Sequence, residues 1–154
     1  MRATIKTRVC VLGLGLIVGC VGAGAQHMVT ATSSGVDVLI VANKEVRISE
    51  ISSAHLREIF TGTRSRLDDG TRAIPVVLRG GPAHEVFLRK HIGDTPDEFR
   101  TRWRKALFTG EGAMLKEFSS EAALLEYVAA TPGTIGYVSR LSDPGSVKVL
   151  NISP

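Results

Sequence analysis

The sequence predicts an α/β domain, because short β-branched segments alternate with segments of helical periodicity along one continuous stretch of chain. That stretch begins at Val36 and holds about 120 residues, which is enough for one hydrophobic core and too little for two. Both cysteines, Cys10 and Cys20, precede it. The domain is therefore expected to fold without a disulfide or a thiolate metal site.

The strands are predicted from dense apolar runs. Residues 36–43 are typical of a strand that is buried on both faces. Residues 73–78 form a second run, in which Pro75 has no N–H for a ladder and so belongs at a sheet edge or near the start of its strand. Residues 134–138 and 147–152 complete the predicted set.

The first two helices are predicted from capping residues and glycines. Ser52 and Ser53 supply hydroxyl caps to the first, and Gly62 can end it. The second begins at Pro82, which suits a first helical turn, and ends before Gly93.

The third helix carries the strongest local signal, a capping box between Thr95 and Glu98 with Pro96 in the first turn. Gly110 and Gly112 are predicted to end it. A fourth helix is predicted after residues 119–120. The third helix has an apolar face at helical spacing, formed by Phe99, Trp103, Ala106 and Leu107, with Trp103 expected in the core.

Residues 1–25 are typical of an export signal. A cationic start is followed by an uncharged apolar run over residues 9–21, which is shorter than the roughly 20 residues of a membrane span. Small residues ending at Ala25 favour cleavage there, and an uncut membrane anchor is the less favoured interpretation. Release to the periplasm is expected after such cleavage.

A second cleavage site stays open. Residues 17–20, Ile-Val-Gly-Cys, resemble the lipobox of bacterial lipoproteins, in which cleavage leaves Cys20 as a lipidated N-terminus. The protein would then be tethered to a membrane by lipid. Residues 26–35 are small and polar, and they suit a flexible tether in either case.

The charge balance argues against a nucleic-acid partner. The whole chain has 19 basic and 15 acidic residues, but cleavage after Ala25 removes three basic and no acidic ones. The remaining excess is a single positive charge. Nucleic-acid-binding domains normally keep a clear basic excess on the folded part.

Neither a metal site nor a catalytic motif is predicted. His84 and His91 share a helix face, but seven residues place them about 10 Å apart along the axis, too far to chelate one ion unaided. The sequence has no nucleophile elbow, no H-E-x-x-H and no G-K-[ST] loop. We therefore predict no cofactor and no enzymatic activity.

The candidate binding site is the junction between the strand at 73–78 and the helix that starts at Pro82. A helix N-terminus exposes unpaired N–H groups and a partial positive charge, which favour an anion. The guanidinium group of an arginine beside it can bind the same anion with two hydrogen bonds. The alternative is an ordinary connection with a solvent-exposed arginine. The predicted anion contacts are Arg79, Gly80, Gly81, Ala83 and His84.

A basic cluster surrounds Trp103 on the third helix, formed by Arg100, Arg102, Arg104 and Lys105. It could serve an anionic partner or be a solvated face. Asp97 lies three residues before Arg100 and Glu98 lies four before Arg102, so pairing along the helix favours the solvated face.

Four segments resemble, in their order, the phosphate-binding substrate-binding proteins of ABC transporters: VLIVANKEVRISEISSAHLREIFTG, IPVVLR, FRTRWRKALFTGEG and TPGTIGYV. The resemblance covers residues 36–138 and is closest to small exported relatives of that family. Its most specific pieces are turn and packing motifs, namely residues 56–62, 108–110 and 132–137.

This resemblance implies one lobe of a type 2 periplasmic binding protein fold, with a mixed sheet flanked by helices. In the family, an arginine followed by a Ser-Gly-Thr helix start holds part of the phosphate. Arg79 matches the arginine and Gly80-Gly81 keep the glycine character, whereas Pro82, Ala83 and His84 replace the hydroxyl donors.

Two functions follow as expectations. The first is an exported single-lobe module that binds phosphate or a similar small anion, with an ABC permease or another envelope protein as its partner. The second is an accessory protein that has lost the ligand and acts through an interaction surface. Contact with the membrane is expected only through the signal or a lipid anchor.

Overall fold

The computed structural model describes residues 37–109, 115–141, 143 and 145–154. Several predictions lie outside the described residues: the export signal, the tether, the lipidation of Cys20, and the helix end at Gly110 and Gly112.

Strands and helices alternate along the described chain. The strands are β1 Leu39–Ala42, β2 Glu50–Ser52, β3 Ile74–Leu78, β4 Lys116–Phe118, β5 Thr134–Val138 and β6 Lys148–Ser153. The helices are α1 Ser53–Thr61, α2 Pro82–Phe87, which continues as a π-helical turn over Leu88–Ile92, α3 Pro96–Thr109 and α4 Glu121–Ala130.

The strands form one mixed sheet in the order β2-β6-β1-β5-β3-β4. β1 runs antiparallel to both of its neighbours, and the other adjacent pairs are parallel. Pro75 is the second residue of β3, which confirms its predicted place near a strand start. The sequence did not predict β2 and β4, which have three residues each.

Helices cover both faces of the sheet around β5. Gly136 lies against Leu124 of α4, close enough that an added Cβ would be 2.9 Å from the leucine side chain. Its neighbour Tyr137 points to the opposite face, as adjacent strand residues do, and its ring stacks on Phe87 with centroids 3.8 Å apart. This arrangement confirms the predicted α/β fold with a mixed sheet flanked by helices.

The predicted local signals at the helix ends are present. Ser52 accepts a hydrogen bond from the His55 N–H at 3.2 Å, and Gly62 ends α1 in the left-handed conformation. At the start of α3, the Thr95 N–H donates to the Glu98 carboxylate at 2.8 Å. Trp103 is 6% exposed, which confirms its place in the core.

One predicted ion pair is wrong. Glu98 is occupied by the cap at Thr95, so Arg102 does not take it as a partner and instead donates to Asp94 at 2.7 Å. The predicted pair of Asp97 and Arg100 is present, with 3.0 Å between the charged groups. No helix in the described part of the chain is long and apolar enough to span a membrane.

Candidate functional site

Arg79 directly follows β3, and its backbone extends the pairing of β3 with β4. Its N–H donates to the Phe118 carbonyl at 2.8 Å. The side chain is 72% exposed, and its Nε lies 3.9 Å from a carboxylate oxygen of Glu117 on β4. The loose, exposed pair leaves the guanidinium free to bind another anion.

Arg79 borders a cavity of about 130 Å³, here called the arginine cavity. Two arginines of α3, Arg100 and Arg104, border it as well. The cavity also has a largely apolar wall. Its remaining lining residues are His84, Glu117, Pro96, Phe99, Trp103, Leu107 and Leu115.

The arginine cavity has an excess of positive charge. Three arginines face one glutamate, a formal excess of two charges. Arg100 is paired with Asp97 at 3.0 Å, whereas Arg104 donates to the uncharged Thr101 hydroxyl at 3.4 Å. The cavity therefore favours an anionic ligand, with Arg104 as its least compensated charge.

His84 is fixed at the cavity by the buried Tyr137 hydroxyl. That hydroxyl accepts the Leu78 N–H at 3.1 Å and hydrogen bonds the Nδ1 of His84. Burial raises the pKa of Tyr137 well above its ordinary value, so the phenol keeps its proton. We assign that proton as donated to Nδ1, which puts the imidazole proton of His84 on Nε2.

The glycine residues of the predicted site border a second cavity of about 180 Å³, here called the glycine cavity. Gly80, Gly81 and Ala83 line it, together with the start of α4 at Ser120 and Glu121. The starts of α2 and α4 thus meet here. Gly81 precedes α2 with φ of 97°, a conformation that favours glycine.

A carboxylate weakens the glycine cavity as an anion site. Glu121 borders it, and its carboxylate is held by Ser139, whose N–H and hydroxyl donate at 2.9 Å and 2.8 Å. This negative charge opposes the partial positive charge of the two helix starts.

The five predicted contact residues therefore do not meet in one cavity. Arg79 and His84 border the arginine cavity, whereas Gly80, Gly81 and Ala83 border the glycine cavity. The end of β3 separates the two sets: the Arg79 side chain lies beside Glu117 of β4, whereas the next two residues, Gly80 and Gly81, lead into α2 and border the glycine cavity.

The basic cluster on α3 is exposed, as the interpretation as a solvated face predicts, but sequence reasoning missed that Arg100 and Arg104 also border the arginine cavity. Their spacing of four residues was the available signal, because it places both on one side of α3. Glu117 had no local signal, since it reaches the cavity only through the pairing of β3 with β4.

The buried histidines predict a stability that depends on pH. Burial lowers the pKa of both His84 and His91 below the ordinary 6.5; the charge of Glu117 partly opposes the effect at His84, and the charge of Lys90 adds to it at His91. The unfolded chain then binds more protons than the folded one, so stability falls as pH drops below about 6.5 toward the lowered pKa values.

We expect a lower Tm at pH 5 than at pH 7, and a weaker pH dependence in His91→Leu. Thermal unfolding across this range checks it. The pKa values of Asp37, Asp69 and Glu98 are also lowered, so the stability that these groups contribute is lost only below their ordinary pKa values of 3.8, 3.8 and 4.5. An unchanged Tm between pH 7 and pH 5 would contradict the prediction.

Comparison with known proteins finds likeness in structure and none in sequence, since no family model and no curated protein matches. A putative phosphate ABC transporter substrate-binding protein from Clostridium perfringens, solved with bound phosphate, matches with a TM-score of 0.58 and 13% identity. An ABC-type phosphate transport receptor from Vibrio cholerae matches at 0.56 and 13%, and PstS from Borrelia burgdorferi at 0.55 and 14%.

Each match covers 75% of this chain but only 44%, 45% and 47% of those proteins, in the same order. The chain thus spans less than half of their length. At such low identity the likeness shows the fold alone. It confirms the predicted fold, a single lobe of the type 2 periplasmic binding protein kind.

Proposed function

We propose that the protein is an exported module that binds a small anion of the phosphate type in the arginine cavity. The observation that carries the proposal is the convergence of Arg79, Arg100 and Arg104 on one cavity with a formal excess of two positive charges. Guanidinium groups match phosphate oxygens in geometry as well as in charge.

The comparisons support the same ligand class. Two of the matched structures carry names for phosphate transport, and one of them was solved with bound phosphate. An ABC permease or another envelope protein is the partner that such a function would require. The proposal differs from the sequence prediction in one respect, because it places Arg100 and Arg104 at the anion and leaves the glycine helix start outside.

Binding by this lobe is expected to be weak. Arg79 is 72% exposed, and charged contacts in water are worth little because of its high dielectric constant. We expect a dissociation constant for inorganic phosphate on the order of 1 mM, which corresponds to about 4 kcal/mol.

Calorimetric titration with phosphate at low salt tests the proposal. Arg79→Ala is expected to weaken binding by roughly tenfold, the effect of losing one charge-assisted contact. Arg57→Ala is the matched control, because Arg57 is an exposed arginine on α1 that borders neither cavity. Equal heats from all three proteins, or no heat up to millimolar phosphate, would refute the proposal.

Export is a separate part of the proposal with its own measurement. Cleavage after Ala25 gives a free periplasmic protein, and cleavage before Cys20 gives a lipid-tethered one. The intact mass of the protein isolated from its native host distinguishes them. A mass that still includes residues 1–25 would contradict both.

One observation favours the second candidate function, an accessory protein that acts through an interaction surface. Phe108 at the end of α3 is 90% exposed, and its neighbour Leu107 is 45% exposed. Exposed apolar patches mark partner sites when they are contiguous. Cross-linking in envelope extracts should then recover a partner with the wild type and not with Phe108→Ser; the same yield from both would contradict this function.

A further inference from the structure

The arginine cavity combines two kinds of surface, which inorganic phosphate does not use together. Arg79, Arg100 and Arg104 supply cations, while the buried Phe99 and Trp103 supply an apolar wall. Inorganic phosphate has no apolar part, so it leaves in contact with water the exposed part of the apolar lining, chiefly Leu107, which is 45% exposed. A ligand with an apolar group would remove that surface from water and gain free energy.

The size of the cavity limits the apolar group. Its volume is about 130 Å³. A cavity of about 150 Å³ lined by apolar side chains is known to hold one benzene molecule. The cavity therefore has room for one aromatic ring or an alkyl group of similar size at most, and the charged group is left to the exposed guanidinium groups of Arg79 and Arg100.

The charge of the cavity indicates the head group. A phosphate monoester carries about −1.5 to −2 at pH 7 and can be shared by the three guanidinium groups, of which Arg100 is already paired with Asp97. Arg104 has only a hydroxyl, that of Thr101, as its recorded hydrogen-bond partner within the described residues. Gly81 and Ala83, at the start of α2, border the glycine cavity and not the arginine cavity.

We infer that the ligand of the arginine cavity is a phosphate monoester that carries one small apolar group. The phosphate binds the guanidinium groups of Arg79, Arg100 and Arg104, and the apolar group lies against Phe99 and Trp103. This inference rests on the proposed function and deepens it, since it names the chemical class of the anion.

Titrations with three compounds test the inference: inorganic phosphate, phenyl phosphate and benzyl alcohol, each by calorimetry at low salt. We expect phenyl phosphate to bind roughly tenfold more tightly than inorganic phosphate, from partial burial of one ring. Benzyl alcohol, which has the ring without the charge, is expected not to saturate the site.

The fluorescence of Trp103 shows whether the ligand binds in the arginine cavity. Trp103 is the one tryptophan of the chain and it borders the cavity, so phenyl phosphate should change its fluorescence with the same midpoint as the heat. Heat without a change in Trp103 emission would overturn the assignment to this cavity.

A pair of variants distinguishes an apolar contact inside the cavity from non-specific hydrophobic binding elsewhere on the surface. Leu107 borders the cavity and is partly exposed, so Leu107→Ser should fold and should reduce the preference for phenyl phosphate over phosphate. Phe108→Ser removes a more exposed apolar side chain that does not border the cavity, and it should leave that preference unchanged. Equal effects of the two variants would overturn the inference.

The outcomes also separate this inference from the proposed function. Equal affinities for phosphate and phenyl phosphate would overturn the inference and leave the proposed function intact. Benzyl alcohol binding as tightly as phenyl phosphate would overturn the inference too, because the arginines would then not select the ligand. If neither phosphate nor phenyl phosphate binds, both the inference and the proposed function are overturned.

Discussion

Replacing Gly133 with alanine is expected to lower the free energy of unfolding by about 3 kcal/mol or more, by combining a strained backbone with a steric clash. Gly133 has φ of 76°, and an added Cβ would clash with the backbone carbonyl oxygen of Arg72. That oxygen belongs to the backbone and cannot rotate away. The Gly133 carbonyl also accepts the Ile74 N–H at 2.9 Å, so a shift would disturb the pairing of β3 with β5.

Gly70→Ala is the matched control for Gly133→Ala. Gly70 has φ of 83°, and an added Cβ would meet nothing within 4 Å. Gly70→Ala should therefore lower the free energy of unfolding only by the cost of placing alanine in the left-handed conformation, roughly 1 kcal/mol. Urea unfolding followed by Trp103 fluorescence measures both variants. Equal losses would contradict the assigned clash with Arg72.

Tyr137→Phe is expected to lower the free energy of unfolding by about 2–4 kcal/mol, because it leaves two buried polar groups without a partner. The Tyr137 hydroxyl accepts the Leu78 N–H and bonds His84 Nδ1, and the Tyr137 side chain is fully buried. The ring would still stack on Phe87, so the loss reports the hydroxyl rather than packing.

Tyr127→Phe is the matched control for Tyr137→Phe. The recorded contacts of Tyr127 are made by its ring, which lies 5.2 Å from the Phe118 ring and under the Lys116 ammonium group. Removing its hydroxyl should change the free energy of unfolding by less than about 0.5 kcal/mol. A loss as large as that of Tyr137→Phe would show that the hydroxyl of Tyr137 has no special role.

The parts of the fold that follow from local chemistry could be predicted from the sequence. The capping box of Thr95 and Glu98 and the left-handed glycine at Gly62 involve residues three or four apart, so their signals stand within a short window. β2 and β4 could not be predicted, because three residues carry too little periodicity. Their existence depends on pairing with β6 and β3.

The candidate site was predicted only in part, because its cavity is assembled from distant segments. Arg79 was found through its position between a strand and a helix start. Arg104 and Glu117 reach the same cavity from α3 and β4, and no local pattern connects either of them to Arg79. The helix start at Gly81 was correctly placed, but sequence spacing could not show that it borders a different cavity.

The most direct test of the anion site is a crystal structure of the protein grown or soaked with millimolar phosphate. We predict phosphate oxygens at hydrogen-bond distance, about 2.8 Å, from the guanidinium groups of Arg79 and Arg104. Phosphate bound instead at the Gly81–Ala83 helix start, or an arginine cavity that holds no anion under these conditions, would contradict the account.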